Sequence, residues 1–229
     1  MTILHLWGRM SSINVRKVVW ALQELGLPFT RSDAGLAFGV TKTPEYLAKN
    51  PNALVPLLED GGFALWESNA IVRYLLAKYG APAPGTAADS VGIVYPANLQ
   101  ARFDQERWMD WQQTTFNSAG REAFIQLIRT PAQQRSAQAV QKSVAATALV
   151  LNVLDAHLAK QPCVSGSAFG MADIPLGCEM HRWWGIPESG FAALGVTRQP
   201  ITDWQHVARW WSALQQRPAA RGVLDQALS

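Results

Sequence analysis

Residues 6–18 carry a strand-like segment through a polar turn directly into an amphipathic helix, and no other stretch restricts the fold so sharply. Ile3, Leu4, Leu6 and Trp7 are strand-forming residues, and Gly8 interrupts them. Ser11, Ser12 and Asn14 favour a helix cap or first turn over a helix interior. From there Val15, Val18, Val19, Leu22 and Leu25 recur at helical spacing, with Gly26 and Pro28 as the stop. A serine at such a junction stands beside unpaired backbone N–H groups and the positive end of the helix dipole, where a thiolate or carboxylate is favoured. Plain capping would use the same residues, so the turn alone leaves both roles open.

Residues 28–32 read as a second strand, which makes a βαβ unit with parallel strands. Residues 35–42, including Phe38, Gly39 and Lys42, form a loop that is either a lid or a connection. Thr43 and Pro44 open a short helix, and Asn50-Pro51-Asn52 ends it. Two apolar runs then flank an acidic Gly-Gly turn between residues 53 and 66, the pattern of an antiparallel hairpin. Pro56 lacks a ladder donor and belongs at a strand start, an edge or a bulge. A cis Val55–Pro56 bond would turn the Val55 N–H and C=O outward, free to pair with an extended peptide, whereas a trans bond would only open the strand. Glu67 and Ser68 occupy the first turn of the next helix, whose buried stripe is Ile71, Tyr74 and Leu75. The Ser68 N–H makes a second anion site, and Glu67 beside it can receive an ammonium group. One carboxylate acceptor next to one carboxylate donor suits an α-amino acid head.

Residues 81–89 break every period, and their Pro/Gly/Ala composition reads as a linker. Beyond it the pattern is helical throughout. Leu99, Phe103, Trp108, Trp111 and Thr115 sit near one another on a helix over about residues 96–118, and Val140, Val144, Leu151, Leu154 and Leu158 trace the buried stripe of another. Asp173 is placed to reach back to the Gly170 N–H as half of a capping box, a folding role. Trp183, Trp184, Trp204, Trp210 and Trp211 read as core. The expected division is 1–80, a linker at 81–95, and an all-helical domain over 96–229.

The chain has 229 residues, 48% of them hydrophobic and 16% charged, which marks a folded protein and excludes a disordered one. Its net charge of +3 comes from scattered basic residues, so neither a nucleic-acid nor a lipid surface is expected. Cys163 and Cys178 form no CxxC, and no His/Cys spacing suits a metal; both read as buried reduced thiols. No leader pattern and no apolar run of about eighteen residues is present, so the expectation is a cytoplasmic protein off the membrane.

The block LWGRMSSINVRKVVWALQELGLPF, followed by NALVPLLED and LWESNAIVRYLLAKYG, resembles bacterial theta-like members of the cytosolic glutathione transferase superfamily, and the resemblance covers the whole chain. It implies an α/β, thioredoxin-like N-terminal domain that binds glutathione and an all-α C-terminal domain. It implies an enzyme that adds the thiolate of reduced glutathione to a small hydrophobic electrophile, with glutathione as co-substrate, no cofactor and no metal. Carried over, sulfur activation falls on Ser12, with Ser11 and Asn14 as alternatives. Glutathione binding falls on Val55, Pro56, Glu67, Ser68 and Lys42, and the hydrophobic site on Met10, Trp108 and Trp111. Met10 departs from the polar residue that bacterial relatives often carry there, and Gly170 from their serine or threonine. A homodimer is also implied. Unlike cysteine, a serine forms no mixed disulfide with glutathione, which argues against disulfide exchange and leaves peroxidase or dehalogenase activity open. The non-enzymatic alternative is a glutathione- or hydrophobe-binding carrier or regulatory protein on the same fold.

Overall fold

The computed structural model describes residues 3–80 and 93–228; residues 81–92, most of the expected linker, lie outside the described residues. The chain divides into two compact units, Met1–Arg102 and Phe103–Ser229.

The first unit contains β1 (Leu4–Trp7), α1 (Ile13–Glu24), β2 (Phe29–Ser32), α2 (Pro44–Leu47), β3 (Leu57–Asp60), β4 (Phe63–Trp66) and α3 (Ser68–Tyr79). The strands form one sheet in the order β2-β1-β3-β4. β1 runs parallel to β2, with Leu4 opposite Phe29, and antiparallel to β3, with Leu6 opposite Leu58. The βαβ unit and the hairpin stand as the sequence pattern predicts, in the thioredoxin-like arrangement that the resemblance implies. Alternation along β1 buries Leu4 and Leu6 and leaves His5 and Trp7 half-buried on the other face. Val15, Val18, Val19 and Leu22 of α1 and Ile71, Val72, Leu75 and Leu76 of α3 are buried where the two helices pack together. Each such side chain contributes about 1.5–3 kcal/mol.

The hairpin differs from its sequence pattern at both ends. Glu59 and Asp60 belong to β3, so the turn is Gly61-Gly62 alone, with φ of +56° and +95° that glycine adopts without penalty. β3 starts only at Leu57, after Pro56, which has no N–H for the ladder. Asp60 is buried and accepts hydrogen bonds from Tyr74, Lys78 and Tyr79, each at 2.7 Å, tying β3 to the end of α3.

Beyond residue 92 the described chain is helical apart from one isolated bridge between Cys163 and Gly166. α4 (Leu99–Trp111) runs through a π-helical turn, Gln112–Phe116, into α5 (Asn117–Phe124), then α6 (Ala137–Leu158), α7 (Asp173–Trp184), α8 (Glu188–Ala192) and α9 (Gln205–Gln215). The π-turn carries Gln112, fully buried, whose Nε2 donates to Glu179 Oε2 at 2.7 Å. Glu179 is also paired with Arg182. The expected stripe of α6 is buried throughout, whereas Leu99 and Phe103 of α4 are exposed. Of the five later tryptophans only Trp184 is less than buried. Cys178 is buried and Cys163 half-buried, both as free thiols, and burial pushes Cys163 up to about 11, far from a nucleophile at neutral pH.

Asp173 accepts from the main-chain N–H groups of Val164 (2.8 Å), Ser165 (3.2 Å) and Gly170 (2.9 Å) and from Trp210 Nε1 (2.7 Å). Burial raises its carboxyl above the usual range, against the pull of these four donors.

Candidate active site

The turn after β1 is shaped by Gly8. Its φ is +147°, and a Cβ there would lie 2.4 Å from Val15 Cγ2 and 3.2 Å from Val55 Cβ, so only glycine lets the turn close against both. The buried Arg16 donates from Nε to the Met10 carbonyl at 2.7 Å, and Arg31 donates to the Gly8 carbonyl at 2.7 Å. The turn is thereby pinned from α1 and from β2. Ser12 is the N-cap of α1 with extended backbone; its carbonyl accepts from the Val15 and Arg16 N–H groups, while its side chain makes no capping bond. Its hydroxyl stands at the positive end of a twelve-residue helix, and its oxygen accepts no N–H of the first turn. Ser11 and Met10 are half-buried in the turn before it.

The Val55–Pro56 bond is cis, and Val55 lies outside β3 in the segment leading to it. Neither its N–H nor its C=O takes part in a turn or loop backbone hydrogen bond among the described residues. Just beyond β4, Glu67 caps α3 with φ of +71°, a left-handed conformation that costs a non-glycine residue on the order of 1–3 kcal/mol. Glu67 is exposed and Ser68 is buried. The Ser68 hydroxyl donates to Asn14 Oδ1 at 3.2 Å, so the start of α3 is joined to the start of α1.

These pieces line a shallow cleft open to solvent, formed by Asn14, Asn50, Asn52, Leu54, Val55, Pro56, Trp66, Glu67 and Ser68. Of the residues singled out in sequence, Asn14, Val55, Pro56, Glu67 and Ser68 meet here. Ser12 and Ser11 are not in the lining; they precede Asn14 at the same helix terminus. Lys42 is exposed ahead of α2 and does not line the cleft. Trp108 and Trp111 belong to the second unit, where their rings meet edge-on at 5.0 Å and Trp108 lies 4.3 Å from His157. Asn50, Asn52, Leu54 and Trp66 line the cleft without having been singled out. Asn50-Pro51-Asn52 reads in sequence as a helix stop, and the signal that it is more is the pair of amide side chains directly before an apolar segment. Among the described residues no cluster of three or more His, Cys, Asp or Glu could hold a metal, and no helix is long and apolar enough to cross a membrane.

The glutathione S-transferase N-terminal domain profile matches residues 3–77, and the C-terminal domain profile matches residues 117–218. Glutathione S-transferase GstB of Escherichia coli K12 is 38% identical over 224 residues, 97% of this chain and 98% of that protein. The chain belongs to the glutathione S-transferase family. Glutathione S-transferase 3 of Zea mays is 32% identical over 225 residues, covering 96% of this chain and 92% of that one. Among solved structures, the theta-class glutathione S-transferase of Xanthomonas axonopodis pv. citri with glutathione bound superposes with a TM-score of 0.85 at 38% identity, each chain covered in full.

Proposed function

We propose that the enzyme binds reduced glutathione in this cleft, ionises its thiol and adds it to a small hydrophobic electrophile. The supporting observation is that Val55, Glu67 and Ser68 share one cleft. The Val55 N–H and C=O pair with the cysteinyl residue as a short antiparallel edge. The Ser68 N–H at the positive end of α3 receives the γ-glutamyl carboxylate, and Glu67 receives the ammonium group. Asn14 accepts the Ser68 hydroxyl proton and so holds that end of the site, which leaves Ser12, ahead of Ser11, as the donor to sulfur. The thiol proton leaves to solvent, the sulfur electron pair forms the new C–S bond, and in a substitution the leaving group departs with the bonding pair. Trp108 and Trp111 of the second unit are proposed as apolar contacts for the electrophile, Lys42 to assist at the glycyl carboxylate, and the chain to act in the cytoplasm.

Assays of the purified protein with alkyl and aryl halides, epoxides, isothiocyanates and hydroperoxides test the reading. Turnover with at least one class is expected, and glutathione binding with no turnover in any of them would favour the carrier instead. Ser68→Ala is expected to weaken glutathione binding by about 1.5–3 kcal/mol, the range for a hydrogen bond to a charged group. Calorimetry that shows unchanged affinity would remove Ser68 from the site.

A further inference from the structure

Two buried side chains hold the carbonyl of Leu54. The Tyr46 hydroxyl donates to it at 2.6 Å and Asn50 Nδ2 at 2.8 Å, and the two residues are 3% and 2% exposed. Tyr46 is itself fixed, since its ring stands edge-on to Trp7 of β1 with centroids 6.3 Å apart and its N–H donates to the Thr43 hydroxyl. Asn50 Oδ1 accepts the Asn52 N–H at 3.1 Å. By contrast the Leu54 side chain is 64% exposed and Ala53 has a φ of +55°, so apolar burial does not hold this segment in place. Hydrogen bonds do: the Ala53 N–H donates to the Asn50 carbonyl at 3.2 Å, and the two side chains hold the Leu54 carbonyl.

The Leu54–Val55 peptide is trans, and in a trans peptide the N–H points opposite to the C=O. Fixing the carbonyl therefore fixes the Val55 N–H, aimed away from the Tyr46 hydroxyl and Asn50 amide. We infer that Tyr46 and Asn50 are positioning residues for the co-substrate: they set the direction of the Val55 N–H so that it meets the cysteinyl carbonyl of glutathione. The inference rests on the glutathione reading above. Orienting the donor before the ligand arrives removes an ordering cost from binding. Burial pushes the Tyr46 hydroxyl up to about 12, so it remains a donor across the neutral range.

Tyr46 is the cleaner probe, because Asn50 also lines the cleft and Tyr46 does not. Tyr46→Phe deletes the hydroxyl and keeps the ring on Trp7. Calorimetry compares glutathione with an analogue whose cysteinyl carbonyl is reduced to a methylene, which has nothing for the Val55 N–H to meet. The variant is expected to bind glutathione roughly three- to tenfold more weakly than the wild type, the cost of one neutral hydrogen bond, and to bind the analogue within about twofold of the wild-type value. Equal weakening toward both ligands would mean a merely structural role and overturn the inference, as would no weakening toward glutathione. A wild-type protein that does not bind glutathione would instead remove the reading on which it rests. If Tyr46→Phe does not fold, Asn50→Ala, which removes the other donor to the Leu54 carbonyl, decides with the same two ligands: weakening toward glutathione and not toward the analogue is expected, and equal weakening toward both overturns the proposal.

Discussion

Ser12 differs from its neighbours in what its hydroxyl is left to do. A cap serine normally spends its oxygen on an N–H of the first turn, whereas here the Ser12 side chain makes no capping bond and the helix keeps its dipole for an incoming anion. A free cysteine thiol has a pKa of about 8.5, so only a few per cent is ionised at pH 7, and each unit by which a site lowers it corresponds to about 1.36 kcal/mol. Ser12→Ala removes one donor and leaves backbone and dipole intact. Turnover is expected to fall roughly ten- to a thousandfold with a much smaller change in glutathione affinity, and the thiolate absorbance of bound glutathione should titrate at higher pH. Ser11→Ala should do little. Asn14→Ala should weaken binding, through Ser68, without moving the titration. If the midpoint moves in Asn14→Ala or Ser11→Ala and stays put in Ser12→Ala, the sulfur contact belongs to that neighbour; if none of the three moves it, the dipole acts alone. At this scale the sequence shows the residues whose chemistry is local, such as Ser12, Glu67 and Ser68 at helix starts. It does not show Arg16 under the Met10 carbonyl or Tyr46 under Leu54, since nothing in either residue's own neighbourhood marks the carbonyl it will meet.

The start of α7 explains how one element tolerates a missing side chain. The resemblance implies serine or threonine where this chain has Gly170, and a Cβ there would lie 2.6 Å from Ser165 Cβ and 2.8 Å from Gln105 Oε1. Those two residues do the work instead: Ser165 Oγ accepts the Ala172 N–H at 3.2 Å and Gln105 Oε1 the Met171 N–H at 3.2 Å. A serine at position 170 is therefore expected to destabilise this protein. Gly170→Ser should cost about 1–3 kcal/mol of overpacking, read as a lower Tm, and Ser165→Gly in the same chain should recover part of it. A raised Tm in the single variant would refute this account. A second element contact sets an acid limit. Burial raises the Asp60 carboxyl, but hydrogen bonds from Lys78, Tyr79 and Tyr74 outweigh it and hold the group below the usual carboxylate range. A carboxyl with a depressed folded pKa contributes stability that is present above its unfolded value, about 3.9, and is lost as pH falls through the folded value. Denaturation curves of wild type and Asp60→Asn should thus differ at neutral pH and converge below about pH 4. Parallel curves down to acid would show that this carboxyl carries no such linkage. Element types are legible because period and caps are local. The π-turn at Gln112–Phe116 is not, because what draws Gln112 inward is Glu179, far along the chain.

For the whole molecule, the two-part architecture follows from the change of period between the alternating first part and the helical remainder, and the one long-range expectation left to settle is assembly. Both units expose large apolar side chains. In the first, Leu36 and Phe38 are 69% and 53% exposed on a short 3-10 turn. In the second, Leu149 and Val153, one helical turn apart on α6, are 68% and 52% exposed. Isolated surface leucines need no explanation, but exposed apolar pairs on both units suit a two-fold contact in which each chain supplies both patches. Such a contact is self-complementary, so a single charge in either patch enters the interface twice, and burying an unpaired charge there costs several kcal/mol. Light scattering at micromolar concentration is expected to give twice the 25.1 kDa of the chain. Phe38→Asp and Leu149→Glu should each shift that mass toward the monomer while the unfolding transition stays cooperative. A wild-type mass of one chain would end the dimer proposal. A wild-type dimer untouched by either substitution would keep the dimer and move its interface away from both patches.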